Sequence, residues 1–527
     1  MRLNKSQKRL KISGSQLKAL QGRIKNRALA EEDWDVVMAM TETVECLAQA
    51  LAEKETAIAR LCKYLLGAPT ETARNVLKRK KSEASASPSR RNGKKPLKKT
   101  RGHGKNPASA YKGGEKVSIE HPTLRAGDRC PGCDRGKVYE LALPSVFVHI
   151  VGQAPLQSTV YERTRLRCNL CGEVFTPELP PDVGQAKHDE SAAAMVAVLK
   201  YGCGMPFNRL EKLQANLGQP VPASTQWDIL HTAAVNIAPL QDALETCAAQ
   251  GEVIHNDDTT AKILSFLAEQ DSDSPRTGIF TTGIVSRWQG HQIALFKTGN
   301  RHAGENLENL LAARAAGLPP PIQMCDALNR NVPKQYATIL SNCLAHARRQ
   351  FVDLVERFPD ECTHVIEELA KVYKHDAFVK EQGFSPVERL AFHQEHSRPV
   401  MEALKAWCET QMEEKRVEPN SGLGKAIKYM LKHWKKLTRF LEVAGTPLDN
   451  NIAERALKYA ILHRKNALFF KTQNGANVGD LFMSLIHTCQ LTGVNPLKYL
   501  TWVFSNVRNL KRNPSDFLPW RYQDDPG

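Results

Sequence analysis

Apolar residues recur along this chain first at helical spacing, then in short strand-like runs, and then at helical spacing again. From Val37 the positions Val37, Met40, Val44, Leu47, Leu51, Ile58, Leu61 and Leu65 keep alternating steps of three and four, interrupted only by Lys54. That is a heptad seam of about four repeats, suited to a coiled coil or to an amphipathic helix packed on its own chain. Leu17, Leu20 and Ile24 predict a shorter helix before it. Met205 to Gly218 reads as a helix ending in glycine, and Ser224-Thr225-Gln226-Trp227 opens another after a short turn. The pair has the pattern of a helix-turn-helix or of two helices packed beneath a core. Glu252 to Leu264, Gly278 to Trp288 and His291 to Thr298 then predict three successive strands. A helix follows from about Glu305, and a fourth strand at Pro321 to Asp326. Between Phe358 and Ala444 the pattern turns helical and charged again.

A chain of 527 residues is too long for one core, and domains usually run to about 100 to 200 residues. The pattern divides it into N-terminal helices with the heptad seam (1–68), a basic disordered linker (69–117), a zinc-binding module (118–182) and a helical segment (183–245). An α/β core (246–357), a helical insertion (358–444), a second core part (445–484) and a C-terminal element (485–527) follow. The formal charge is +17, but between Arg74 and Lys105 thirteen cations face one acid, Glu83, so most of the excess is local. Lys80, Lys81, Arg90, Arg91, Lys94, Lys95, Lys98, Lys99 and Arg101 lie in this arm, and Ser82 to Asn106 has almost no large apolar residue. Such a segment cannot offset its ordering entropy and suits a polyanion, because each phosphate contact releases counterions. No apolar run reaches about 18 residues and no apolar stretch follows the cationic start, which predicts a cytoplasmic chain with no membrane partner.

Of thirteen cysteines, nine are scattered without framework spacing, as in a reducing compartment. The other four form two knuckles, Cys130-Pro131-Gly132-Cys133 and Cys168-Asn169-Leu170-Cys171, with strand-like residues Ser145 to Val151 and Ser158 to Arg167 between them. Two thiolates from each would close a tetrahedral structural Zn2+ site.

Two apolar runs end in acids: Val253-Ile254-His255-Asn256-Asp257-Asp258 and Ile322-Gln323-Met324-Cys325-Asp326. A third acid, Glu454, stands in Asp449-Asn450-Asn451-Ile452-Ala453-Glu454, where an asparagine cap opens a helix. Asp257, Asp326 and Glu454 are the donors a pair of Mg2+ (or Mn2+) ions requires, since hard cations take oxygen ligands and two of them activate both oxygens of a phosphodiester displacement. Because successive strand residues point to opposite faces, Asp257 and Asp258 cannot both serve one site. Arg455, Lys458, Arg464 and Lys465 on or just after the same helix, with Arg348 and Arg349 upstream, are candidate phosphate contacts. Cys343 and His346 share a helix face, but two ligands do not make a closed site, and packing is the expected role.

These motifs resemble the insertion-sequence-66 family of DDE transposases along nearly the whole chain. The family's HxDxT strand is matched by His255 to Thr259, its McDAL segment by Met324 to Leu328 and its CxAHxRRxF helix by Cys343 to Phe351. Its DNNxAE element is matched by Asp449 to Glu454, with Arg464-Lys465-Asn466-Ala467-Leu468-Phe469 after it. Asp258 and Thr260 depart from the usual Glu and Pro. The resemblance implies an RNase H-like catalytic core with a helical insertion, and metal-dependent cleavage and strand transfer at the ends of a mobile element. It also implies target DNA, self-association, small accessory proteins and a nucleoid location. Two other classes use subsets of these parts: a zinc-dependent DNA-binding regulator would not require the acids, and a nuclease or resolvase would cut without joining.

Overall fold

The computed structural model describes residues 14–38 and 110–523, apart from 27, 32, 35, 112–115, 134, 142–144, 182, 184–185 and 269–277. The chain divides into two compact units, Met1–Ala86 and Ser87–Gly527. In the first, α1 (Gly14–Lys25) is the expected short helix. Its Leu20 is buried, and Arg23 makes a bidentate pair with Asp33. The heptad seam from Met40 to Leu65 and the basic arm with its nine named cations lie outside the described residues.

The second unit begins with two cysteine knuckles. Cys130 donates its N–H to Gly136 O beside a bridge between Arg129 and Lys137. The other knuckle is the tip of a hairpin of β1 (Leu166–Arg167) and β2 (Val174–Phe175), where Gly172 takes φ +77°. The longer strands expected at 145–151 and 158–167 form only at Leu166–Arg167. The remaining described residues have no ladder partner among the described residues, and strand propensity without a surface to pair and pack against does not make a strand.

Helices α2 (Phe207–Asn216) and α3 (Ala223–Ala249) follow. Of the two readings of this helix pair, packing beneath the core agrees with Gln226, whose amide is buried and donates to Phe207 O and Val221 O. The 27-residue α3 sends Leu230, Ile237, Leu240 and Leu244 into the core and crosses the boundary expected at 245/246.

Five strands make a mixed sheet in the order β5-β4-β3-β6-β7: β3 (Val253–Thr260), β4 (Phe280–Trp288), β5 (His291–Gly299), β6 (Ile322–Cys325) and β7 (Ile339–Asn342). The first three form an antiparallel meander, and β6 and β7 add in parallel on the far side of β3. The fifth strand was not expected. Helix α4 (Ala303–Leu311) leads towards β6, and α5 (Leu344–Val352) follows β7. A helical stretch that includes Pro359–Glu381, Arg398–Glu413 and Gly422–Lys432 then separates the sheet from α6 (Asn451–Ala467), as the charged helical pattern predicted. Helix α7 (Gln473–Leu491) runs across the boundary expected at 484/485, and α8 (Pro496–Ser505) continues the core with Tyr499 and Leu500.

Alternation in β4 shows how helices cover both faces. Ser286 donates its hydroxyl to Ala248 O of α3, whereas Gly283, an odd number of residues away, faces Leu457 of α6. At the free side of β5 the N–H groups of Ala294, Phe296 and Thr298 donate to Thr488, Ser484 and Asp480 of α7. These three side chains recur every four residues, so one helix face satisfies every second amide of an edge strand that would otherwise offer a pairing template.

Candidate active site

Asp257 stands opposite Gly283 in the β3–β4 ladder, and Asp258 opposite Thr282. Paired residues share a face, so Asp257 lies on the side covered by α6 and Asp258 on the side of α4, whose Asn306 donates to Thr282 Oγ1. Asp258 is accordingly engaged elsewhere. Its carboxylate, 1% exposed, accepts from Arg330 Nη2 at 3.0 Å and from His302 Nδ1 at 3.2 Å. This separates the two adjacent acids as the alternation predicted.

The parallel register of β3 with β6 pairs His255 with Met324, and continued by two residues it sets Asp257 beside Asp326, just past the end of β6. Asp326 Oδ1 accepts from Leu328 N and from the Asn331 amide. Glu454 lies in the first turn of α6. That helix packs closely because Gly283 has no side chain: a Cβ there would meet Leu457 Cδ2 at 3.0 Å. The N-terminus of α6 differs from expectation in one respect. Asn450 is its N-cap residue but makes no side-chain cap. Its Oδ1 accepts from His255 Nδ1 at 3.1 Å and its Nδ2 donates to Asn256 O, so the amide ties the helix start to β3 instead. Asp449 Oδ1 accepts from Asn451 N in its place.

Burial, reinforced by the charges of Asp326, Asp258 and Glu454, pushes the Asp257 carboxyl up to about 7, with the Asp258 N–H opposing. Burial likewise raises Asp326. His255 is driven down to about 4 by burial, so its imidazole is neutral and donates to Asn450. A buried carboxyl raised further by the carboxylates around it marks a candidate functional site, and a bound cation would relieve that repulsion. Glu454 Oε1 adds a second sign, being buried with no hydrogen-bond partner. The donor set therefore fits hard divalent ions, although the three acids do not all approach within 4.8 Å of one another.

Among the described residues, the group of His, Cys, Asp and Glu ligand atoms that does so is Cys343, His346 and Glu454. Helix α5 brings Cys343 and His346, for which packing is the expected role, against the start of α6. Arg349 Nη2 lies 3.9 Å from Glu454 Oε2. An open cleft of about 290 Å³ is lined by Asp326, His346, Arg349, Gln350 and Tyr429 among others. Arg455, Lys458 and Lys465 are exposed on α6. Arg464 instead bonds Thr259 Oγ1 and Thr260 O, clamping α6 to the end of β3. Arg348 is half-buried on α5.

In each knuckle the backbone prepares a thiol. N–H groups of Arg135 and Gly136 lower Cys133, and those of Cys171 and Leu170 lower Cys168. The structure does not draw three of the four sulfurs within 4.8 Å of one another.

The sheet order, the helix crossing it and the three acids define an α/β protein with an acidic site at the ends of parallel strands. The chain belongs to the transposase IS66 family, whose model matches residues 186–478. It is 27% identical to the uncharacterized protein y4hP of Sinorhizobium fredii (strain NBRC 101917 / NGR234) over 78% of this chain and 75% of that one. To the uncharacterized protein y4jD of the same strain it is 26% identical, over 69% and 72%. The family implies DNA binding and divalent metal use. No helix among the described residues is long and apolar enough to cross a membrane.

Proposed function

We propose that the chain is a DDE-type polynucleotidyl transferase with an RNase H-like core, which nicks the ends of an insertion sequence and joins them to target DNA. The observation that carries this is the meeting of Asp257 and Asp326, on neighbouring parallel strands, with Glu454 on a helix seated over Gly283. The antiparallel meander extended by parallel strands supports this reading.

Asp257, Asp326 and Glu454 would hold two Mg2+ or Mn2+ ions. Bound there, the ions would lower the pKa of an attacking water or 3′-hydroxyl and neutralise the leaving oxygen. The protein's own part is positional. The His255–Asn450 bond fixes Glu454's helix to Asp257's strand, and Arg349, Arg455, Lys458 and Lys465 offer charge along the path of the DNA backbone. Arg348 adds to that charge, while Arg464 serves chiefly as the clamp on β3. The knuckles would share one Zn2+ in a closed four-thiolate module, the basic arm would bind DNA non-specifically, and the heptad seam would join copies of the chain. Small accessory proteins and a cytoplasmic, nucleoid-associated site belong to the same reading.

Asp257→Asn, Asp326→Asn and Glu454→Gln should each abolish cleavage and strand transfer on labelled element ends while end binding in a gel-shift assay stays within a few fold. Full cleavage with no joined product in the unaltered protein would favour a nuclease or resolvase. Undiminished activity of Glu454→Gln would remove α6 from the catalytic set.

A further inference from the structure

We propose that Cys343, His346 and Glu454 form a second site, sharing Glu454 with the proposed catalytic acids, for a borderline transition cation of the Zn2+ class, with its fourth position open to the cleft. The three donors come from the N-cap of α5, its first turn and the first turn of α6, and their ligand atoms all lie within 4.8 Å of one another.

The decisive distance is between His346 Nδ1 and Glu454 Oε1, which is 3.6 Å. Both atoms are buried and neither has a hydrogen-bond partner. A direct N–H···O bond would draw them to about 2.7 to 3.2 Å, and a bridging water would hold them roughly 4.5 to 5 Å apart, two such bonds being placed end to end at a water's angle. Ligands at the usual Zn–N and Zn–O lengths of about 2.0 to 2.2 Å, set at a tetrahedral angle, stand roughly 3.4 Å apart. The observed gap suits a shared ion better than either hydrogen-bonded arrangement.

Burial pushes the Cys343 thiol up to about 12, so an ion bound there would have to displace its proton. The Cys343 sulfur is buried and already accepts the Asn450 N–H at 3.2 Å, as metal-bound thiolates commonly do. His346 and Arg349 line the open cleft, which provides an entry path. Donor chemistry separates this site from the acids beside it: sulfur and imidazole select Zn2+, Co2+ or similar ions, whereas all-oxygen donors suit Mg2+. Glu454 belongs to both sets, so an ion here would tether α5 to the catalytic helix and hold that carboxylate in place.

Titration of the full chain with Co2+ alone tests this, reading equivalents bound and thiolate-to-cobalt absorbance. Cys343→Ala and His346→Asn should each lose one equivalent, or bind it more than roughly tenfold more weakly, while any ion held by the upstream knuckles remains. Asp257→Asn should keep that equivalent. Should Cys343→Ala fail to fold, His346→Asn decides, because that residue is only partly buried. Native circular dichroism with unchanged Co2+ binding in His346→Asn would overturn the site. Loss of the equivalent in Asp257→Asn as well would assign the ion to the catalytic acids and also overturn it. An intact Co2+ equivalent in a protein that never cleaves DNA would count against the proposed transposase chemistry and leave this site standing.

Discussion

Asp257 and Asp258 are chemically alike and adjacent, yet the pleat gives them different lives. Asp257 sits with other acids at a carboxyl pushed up to about 7, so near neutrality a bound cation must displace its proton. Metal binding should therefore strengthen as pH rises towards about 7 and release protons below it. Calorimetry in buffers of different ionisation enthalpy should show that release, and Asp257→Asn should lose it. The sign for stability is opposite. A carboxyl raised above its unfolded value of 3.8 holds more protons folded than unfolded, so its contribution is full at low pH and is lost as pH rises through about 7. The buried Asp480, also raised to about 7 by burial, adds the same slope. Asp258→Ala should act on stability instead. Removing its bonds to Arg330 and His302 should cost about 1–2 kcal/mol in urea unfolding, a modest figure because both partners keep contact with water.

At the scale of elements, α6, which carries Glu454, owes its position to a missing side chain. Gly283→Ala would place a Cβ 3.0 to 3.1 Å from Leu457, which forces the helix or that side chain to give way. Overpacking of this kind costs about 1–3 kcal/mol. Strand transfer should fall more than DNA binding, because Glu454 rides on the displaced helix. Leu457→Ala in the same chain should restore part of the activity, and failure to do so would show that helix and strand are not coupled through this contact. The strands themselves were legible from short apolar runs, and Glu454's place near a helix start from the Asn pair before it. The function of Asn450 was not, since its partners His255 and Asn256 lie more than 190 positions away. Nor was β7, whose four residues Ile339–Asn342 carry no pattern long enough to show a period.

For the whole molecule, charge is segregated: the arm concentrates cations, and the remaining chain is close to balanced. Deleting residues 79 to 105 should weaken binding to duplex DNA of any sequence and flatten its salt dependence by roughly 0.9 in log–log slope for every phosphate the arm engages. Binding of divalent ions at the acids should survive the deletion. Affinity measured across a salt series checks both, and an unchanged slope would make the arm a spacer. Helices α3 and α7 run through two of the expected domain boundaries. A boundary drawn where composition shifts cannot see that one helix serves both sides.

Local period and the order of motifs were enough to mark the catalytic candidates, the three successive strands, the helical stretch before the third acid and family membership. None of these depends on a distant partner. Which neighbours each acid acquired was set only by the folded chain. Cys343 and Asn450 are 107 positions apart, yet sulfur and amide meet at 3.2 Å, and the same close approach brings His346 to Glu454. Strand register and helix packing join residues by their faces and not by their order, so a pair of ligands that looks incomplete along the chain acquires its third donor only when the sheet closes.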